Sequence, residues 1–236
     1  MLIRLILHPR TAGATFHRGG DVPPRRRRCH RRGGGALGCG GDAIECSAPV
    51  IDSSRAPAGV SLRELRGSDA TEVAAMSARN RADIERVSPA QTEATFTVAG
   101  QAQRITEILA QSALGSRAYW TIRVDGVLAG DISLHAIQRG PVQTANVGYM
   151  VDAAFRGRGV ATAALRLVVA RAFDDLGLHR LDAGAMPSNL GSQRVLEKAG
   201  FTRVGVLDRF LYVAGSWQDH VLYEMVGTDF VPDVSG

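Results

Sequence analysis

Residues 152–162 read Asp-Ala-Ala-Phe-Arg-Gly-Arg-Gly-Val-Ala-Thr, in which two glycines alternate with two arginines. An apolar segment typical of a strand, residues 145–151, precedes it, and apolar residues at helical spacing follow over 159–176. Gly157 and Gly159 let the backbone turn tightly and leave no Cβ in the way of a ligand. The first amides of a helix have no partner within it, so they face outward as donors at the positive end of the helix dipole. The stretch therefore predicts a strand-to-helix turn that binds a phosphate or diphosphate.

Several ligands fit such a turn to different degrees. Arg156 and Arg158 would add charge-assisted hydrogen bonds to an anion, and the alternative is a plain turn with solvated arginines. A nucleotide P-loop is excluded because the stretch has no lysine. A dinucleotide site stays open as the weaker option: two of its three glycines are present, with Asp182 following on the next strand. However, Thr162 occupies the third glycine position.

The pattern on both sides of the turn predicts a mixed α/β domain. The sequence indicates a sheet of about seven strands with about four helices on its faces. Predicted strands lie at 60–65, 118–124, 127–135, 145–151, 180–185, 202–213 and 217–226; predicted helices lie at 68–86, 101–114, 159–176 and 189–199.

The first 57 residues differ from the rest in composition. They hold ten arginines and four acids, a net charge of +6, whereas residues 58–236 have a net charge of −1. Like charges, glycines and little apolar surface predict a disordered leader. One interpretation is a tail that contacts nucleic acid or the ribosome. The other is a solvated tail, or an upstream stretch translated from a misplaced start codon. Because the remainder is nearly neutral, we do not expect the folded domain to bind nucleic acid.

The positions of the cysteines and the lengths of the apolar runs indicate the cell compartment in which the chain works. All three cysteines, Cys29, Cys39 and Cys46, lie in the leader, at spacings that match no zinc signature. The domain therefore needs no disulfide, which predicts a reducing cytoplasm, and we expect no metal site. No apolar run approaches the roughly 20 residues of a membrane-spanning helix, so we expect no membrane association.

Three motifs resemble those of the GCN5-related N-acetyltransferase (GNAT) superfamily. Residues 156–161 resemble its diphosphate-binding turn, and residues 187–201 are similar to its second cofactor helix, with an Asn at the start and Gly-Phe at the end. Residues 217–223 are similar to the terminal strand of the RimJ/RimL branch, which acetylates α-amino groups of ribosomal proteins. The resemblance covers about residues 59–230.

This resemblance implies acetyl-coenzyme A as donor and a set of site residues. The backbone of the strand before the turn contacts the pantetheine arm, Asn189 contacts that arm or the incoming amine, and Ser192 protonates the departing thiolate. A structural reading stays open for both side chains, because Asn189 can cap its helix and Ser192 can satisfy a backbone amide. The implied cofactor-binding residues are Tyr149, Met150, Val151, Arg156, Gly157, Arg158, Gly159, Val160, Ala161, Thr162, Asn189 and Ser192.

The positions at which relatives carry a catalytic base are mostly apolar in this sequence. Leu211 and Leu196 stand at two of them, which leaves Tyr212 and His135 as candidates. An α-amine has a pKa near 8, so about a tenth is neutral at pH 7, against about one part in a few thousand for a lysine. We therefore expect an acceptor with a weakly basic amine, for which water can take the proton.

The sequence thus predicts an acetyltransferase domain over residues 58–230, between the leader and a tail of residues 231–236. The expected acceptor is the N-terminal α-amine of a protein, a ribosomal one by resemblance. Small-molecule amines, such as amino acids, polyamines or aminoglycosides, are the alternative acceptors. A coenzyme A-binding sensor without turnover also stays open because the usual base positions are vacant. A homodimer stays open.

Overall fold

The structure, a computed structural model, describes residues 2–3 and 59–227. A central sheet carries helices on both faces. Its strands are β1 (Leu2–Ile3), β2 (Val60–Glu64), β3 (Arg117–Val124), β4 (Val127–Gln138), β5 (Thr144–Val151), β6 (Arg180–Ala185), β7 (Thr202–Val213) and β8 (Ser216–Val226). The helices are α1 (Ala70–Arg79), α2 (Arg81–Val87), α3 (Val98–Ala113), α4 (Val160–Ala170) and α5 (Leu190–Ala199).

Seven strands form a continuous mixed sheet in the order β2-β3-β4-β5-β6-β8-β7, and β1 pairs in addition with β5. The pairing of β5 with β6 is parallel, and the other pairings are antiparallel. The connection from β5 to β6 runs through α4, as parallel neighbours require a crossover. The predicted α/β class, the seven-stranded sheet and the order of elements are confirmed.

Two apolar clusters lie on opposite faces of this sheet. Consecutive strand residues point to opposite faces, so Tyr149 belongs to the cluster under α4 and α5, and Met150 to the cluster under α1 and α2. Leu165 and Val168 of α4 are fully buried in the first cluster, and burial of such side chains stabilises the fold by about 1.5–3 kcal/mol each. Strand β5, which leads into the glycine turn, contributes side chains to both clusters.

The prediction of a single helix over residues 68–86 was wrong. The chain breaks at Asn80 into α1 and α2, which gives five helices instead of about four. The Asn80 side chain donates to the carbonyl of Met76 and accepts from the backbone amide of Ala153 in the glycine turn. The amide group of Asn80 thus joins the helix pair to the turn, which apolar periodicity cannot reveal.

Most of the predicted leader, and all of the predicted C-terminal tail at 231–236, lie outside the described residues. Leu2–Ile3 is an exception, because the structure pairs these two residues with β5 as a strand. Within residues 59–227, no helix is both long and apolar enough to cross a membrane.

Candidate functional site

The turn between β5 and α4 leaves the first amides of α4 without side-chain caps. A short 3-10 segment, Ala153–Phe155, leads into two glycines with left-handed backbones: φ is 76° at Gly157 and 78° at Gly159. Gly159 is the N-cap residue of α4 and provides no side chain to accept from the helix. A Cβ built on Gly157 would meet no other atom within 4 Å. The turn therefore presents backbone donors beside open space.

A cavity of about 330 Å³ lies between this turn and α5. Arg156, Arg194 and Lys198 line it, and no aspartate or glutamate does. Backbone donors and cations thus face the cavity together, a combination that suits an anion. Within the described ranges, no group of three or more His, Cys, Asp or Glu side chains could hold a metal ion. The full lining is Val151, Phe155, Arg156, Gly157, Gly159, Val160, Ala161, Thr162, Gly191, Arg194, Val195 and Lys198.

The Arg156 guanidinium lines the cavity and is also hydrogen-bonded to other groups of the protein. Its guanidinium pairs with Asp83 of α2 at 2.5 Å and donates to the Asn80 side chain and to the Val151 carbonyl. The hydrogen bond from Arg156 holds the pKa of Asp83 below its usual value. Arg158 instead lies over the Phe155 ring, 5.8 Å from guanidinium carbon to ring centroid. Much of the Arg156 charge is therefore balanced within the protein, and the backbone amides are the turn's uncapped donors.

Strands β5 and β6 separate on the approach to the turn. Their parallel register runs from Thr144, opposite Arg180, to Asn146, opposite Asp182, and then stops. Beyond Asn146, β5 therefore makes no ladder with β6, and the two strands diverge up to Val151. This separation opens an edge of β5 directly beside the cavity.

The short strand β1 pairs with part of this edge. Leu2 lies opposite Met150 and Ile3 opposite Tyr149, in antiparallel register. The other edge of the same two β5 residues already pairs with β4. Strand β1 therefore lies on the side of β5 that faces β6.

The first turn of α5 joins the site from the opposite wall. Asn189 is its N-cap residue, and the Asn189 side-chain oxygen accepts from the Ser192 amide at 3.3 Å. The Ser192 hydroxyl is fully buried and has no hydrogen-bond partner among the described residues. The Tyr149 hydroxyl donates to the Ser192 carbonyl at 3.3 Å, and burial raises the pKa of Tyr149 well above its ordinary value. The structure thus brings Asn189, Ser192 and Tyr149 together beside Gly191, which lines the cavity.

The two candidate bases do not join this group. Tyr212 is 52% exposed and packs edge-to-face on Trp217 near the β7–β8 turn. Leu211 and Val213 belong to the cluster that contains Met150 on the α1 and α2 face, so the intervening Tyr212 points the other way. His135 is buried in β4 and does not line the cavity.

Sequence reasoning missed the α5 wall of the cavity. Gly191, Arg194, Val195 and Lys198 recur at the spacing of one helical face. That spacing could have identified the wall, since the helix itself was predicted. The role of Asp83 in holding Arg156 had no sequence signal, because the two residues are far apart in the chain and meet only in the fold.

The sequence of this chain is similar to sequences of known acetyltransferases. Residues 60–202 match a family model described as an acetyltransferase (GNAT) domain. The chain is similar to the probable N-acetyltransferase YjcK of Bacillus subtilis (strain 168), with 41% identity over 170 residues, 71% of this chain and 94% of that protein.

Two solved structures resemble the fold at 29% sequence identity. One is the ribosomal-protein-S5-alanine acetyltransferase of Vibrio fischeri, with a TM-score of 0.70, covering 74% of this chain and 96% of that one. The other is Mycobacterium smegmatis RimJ in complex with CoA-disulfide, with a TM-score of 0.69, covering 71% of this chain and 81% of that one. The likenesses extend over about the length of the described domain.

Proposed function

The chain belongs to the GNAT acetyltransferase family and is an N-acetyltransferase, and we propose that its acceptor is the N-terminal α-amine of a protein. The proposed donor is acetyl-coenzyme A. One observation carries the proposal: uncapped amides at the start of α4 face a cavity without carboxylates, beside an edge of β5 that has left the β6 ladder. The likeness to an alanine acetyltransferase of ribosomal protein S5 supports the choice of acceptor.

The described residues fit this donor. In the proposal, the amides from Arg158 to Thr162 hold the diphosphate, because a helix N-terminus and a left-handed glycine turn both favour a bound anion. The separated edge of β5, at Tyr149 to Val151, offers backbone groups to the pantetheine arm. The buried, unpartnered Ser192 hydroxyl is an unsatisfied donor of the kind that ligands satisfy.

The reaction we propose is direct transfer. The neutral amine attacks the thioester carbonyl, and a backbone amide of β5 stabilises the developing oxyanion. The amine loses its proton to water, the C–S bond breaks as the tetrahedral intermediate collapses, and an amide forms. Ser192 gives its hydroxyl proton to the thiolate and recovers one from water. Tyr149 and Asn189 act on this step as positioning residues, because both hold the backbone of Ser192.

The apolar residues Leu196 and Leu211, at two positions where relatives carry a catalytic base, support an α-amine acceptor. Near pH 7 about a tenth of an α-amine is neutral, so water suffices as the proton acceptor. A lysine side chain would require a tuned base.

The proposal extends to domain limits, compartment and partners. Residues 58–230 form the acetyltransferase domain, and its lack of cysteine supports a reducing cytoplasm as its location. The net charge of residues 58–236 is −1, which supports a folded part that binds a protein N-terminus rather than nucleic acid.

Thiol release from acetyl-coenzyme A tests the proposal. The full chain is incubated with an Ala-initiated peptide that contains an internal lysine, and with the same peptide acetylated at its N-terminus. We expect steady thiol release with the free N-terminus and none with the blocked one. Release from the blocked peptide would instead identify lysine as the acceptor.

Two further outcomes would contradict the proposed acceptor. Release with a small-molecule amine but with no peptide would identify a small-molecule acetyltransferase. Binding of acetyl-coenzyme A without release for any amine would identify a sensor.

A further inference from the structure

We propose that Tyr223 of β8 is a positioning residue for Ser192, and that it acts through the side chain of Gln193. Tyr149 reaches the turn that carries Ser192 from β5, and Tyr223 reaches the same turn from the other side of β6. This inference rests on the proposed function, since it takes Ser192 as the proton donor to the thiolate. It explains how the fold sets the place of the Ser192 hydroxyl.

The first step is that α5 begins where the sheet divides. Strand β6, which leads into α5, pairs with β5 over residues 180–182 alone, and with β8 over residues 180–185. The start of α5 therefore follows the β6–β8 half of the sheet, whereas Tyr149 belongs to the β5 half. Ser192 can meet a ligand at the edge of β5 in one fixed geometry only if its turn is held to both halves.

The second step is the contact between Tyr223 and α5. Tyr223 lies opposite Ala183 of β6 in the β6–β8 ladder, and its side chain is 1% exposed. The Tyr223 hydroxyl donates to Glu197 Oε1 at 3.1 Å and to Gln193 Oε1 at 3.4 Å. The two acceptors stand four residues apart, so they lie on the same face of the helix. The phenol thus joins β8 to the first two turns of α5.

The third step is that Gln193 carries this contact to Ser192, its neighbour in the chain. The Gln193 side-chain nitrogen donates to the carbonyls of Met186 and Pro187, at 3.2 and 2.9 Å, in the segment that follows β6. The side chain is therefore held at its oxygen by Tyr223 and at its nitrogen by that segment. A side chain held in this way restrains the rotation of the helical turn to which Ser192 belongs.

The fourth step separates the hydroxyl of Tyr223 from its ring. Burial and the hydrogen bond to Glu197 raise the pKa of the Tyr223 phenol, so the hydroxyl stays protonated and donates throughout the neutral range. The Ser192 hydroxyl has no hydrogen-bond partner within residues 59–227, so its place depends on the backbone that carries it. Removal of the Tyr223 hydroxyl alone therefore loosens Ser192 while the packing of the ring remains.

A double-mutant cycle on thiol release tests the inference, with acetyl-coenzyme A as donor and an Ala-initiated peptide as acceptor. We expect Tyr223→Phe to lower kcat by about threefold to tenfold, the effect of one hydrogen bond, and to change the Kd for coenzyme A by less than about twofold. In the Ser192→Ala background the same substitution should lower kcat by less than about twofold, because the hydroxyl that Tyr223 positions is absent. A phenol that only stabilised the fold would have the same effect in both backgrounds.

Hydrogen exchange of the backbone amides of residues 192 and 193 tests the link in the ligand-free protein. Tyr223→Phe should speed this exchange several-fold, because the turn opens more readily. Tyr119→Phe is the matched control: it also removes a buried phenol hydroxyl, which contacts Arg104 of α3, and it should change neither kcat nor the exchange. Gln193→Leu keeps a similar side-chain volume and breaks the same link from α5, so it should reproduce the kinetic pattern of Tyr223→Phe.

Three results would overturn the inference. Unchanged kcat or unchanged amide exchange in Tyr223→Phe would show that the phenol does not hold the turn, and an equal fall in kcat in both backgrounds would limit it to fold stability; both leave the proposed function intact. Full kcat in Ser192→Ala would remove the residue that Tyr223 is proposed to position. An absence of thiol release by the unmodified protein would contradict the proposed function itself, and with it the inference.

Discussion

The hydroxyls of Ser192 and Ser88 are equally buried, but they lie in different parts of the fold. Both are fully buried, and neither hydroxyl has a hydrogen-bond partner among the described residues. Ser192 lies in the first turn of α5 beside the cavity, whereas Ser88 follows α2. A buried unsatisfied hydroxyl costs stability unless something binds it. At Ser192, the proposed partner is the sulfur of the donor.

We predict that Ser192→Ala lowers kcat by about 10–100-fold, because general-acid assistance is lost. The Kd for coenzyme A should change by less than about threefold, since the backbone donors and cations remain. Steady-state thiol release and calorimetry on the same preparation measure the two quantities. Ser88→Ala makes the same chemical change outside the site and should leave both unaltered. Full activity of Ser192→Ala would refute the assigned role, as would an equal loss of kcat and affinity.

At the scale of elements, α2 is linked to the glycine turn by the ion pair of Asp83 with Arg156. Asn80, between α1 and α2, adds a hydrogen bond to the backbone of the same turn. The turn is thus held by the helices on the other face of the sheet. Its shape is therefore fixed by the fold as well as by its glycines.

We predict that Asp83→Asn raises the Kd for coenzyme A several-fold, because Arg156 loses its charged partner and the turn becomes less ordered. Glu85→Gln is the matched control: it also removes a carboxylate from α2, and Glu85 pairs with Arg81 instead of the turn. Calorimetry at pH 7 compares the two variants. A weaker effect for Asp83→Asn than for Glu85→Gln would contradict the linkage.

The same ion pair gives a pH dependence with a definite sign. The hydrogen bond from Arg156 lowers the pKa of Asp83 below its ordinary value of 3.8. The stabilisation is therefore complete above about pH 4 and is lost as the pH falls through the lower, folded-state pKa. The difference in unfolding free energy between the unmodified chain and Asp83→Asn should be constant from pH 7 to about pH 5 and shrink below pH 4. Urea unfolding at each pH measures it, and a difference that grows in acid would disprove the linkage.

Sequence patterns identify the elements better than the contacts between them. Apolar periodicity and the turn glycines predict α4, α5 and the strands around them, because local geometry sets those patterns. The break at Asn80 depends on a bond to a residue far along the chain. The face of β7 on which Tyr212 lies depends on register irregularities between Arg203 and Leu211, which interrupt simple alternation. Neither long-range pairing nor a bulge leaves a periodic signal.

At the scale of the whole molecule, the start of the chain and the proposed donor compete for one backbone edge. Strand β1 pairs with Tyr149 and Met150 on the β6 side of β5, where the proposal places the pantetheine arm. Both cannot use those backbone groups at once. Binding of the donor must therefore displace Leu2–Ile3.

We predict that deletion of residues 1–7 tightens coenzyme A binding several-fold, because no strand has to be displaced. Ile3→Pro removes one backbone donor from β1 without shortening the chain, and it should change the Kd in the same direction. Calorimetry with coenzyme A on the three proteins measures the effect. An unchanged or higher Kd after the deletion would show that β1 does not compete with the donor.

Competition calorimetry measures whether the amides before and within the first turn of α4 hold a diphosphate. The full chain is titrated with coenzyme A alone, and then in the presence of ADP or of adenosine. We predict one-to-one binding with a Kd on the order of 1–100 μM, weakened by ADP, which carries a diphosphate, and unaffected by adenosine, which carries none. No binding of coenzyme A at millimolar concentration, or equal competition by ADP and adenosine, would contradict the claim.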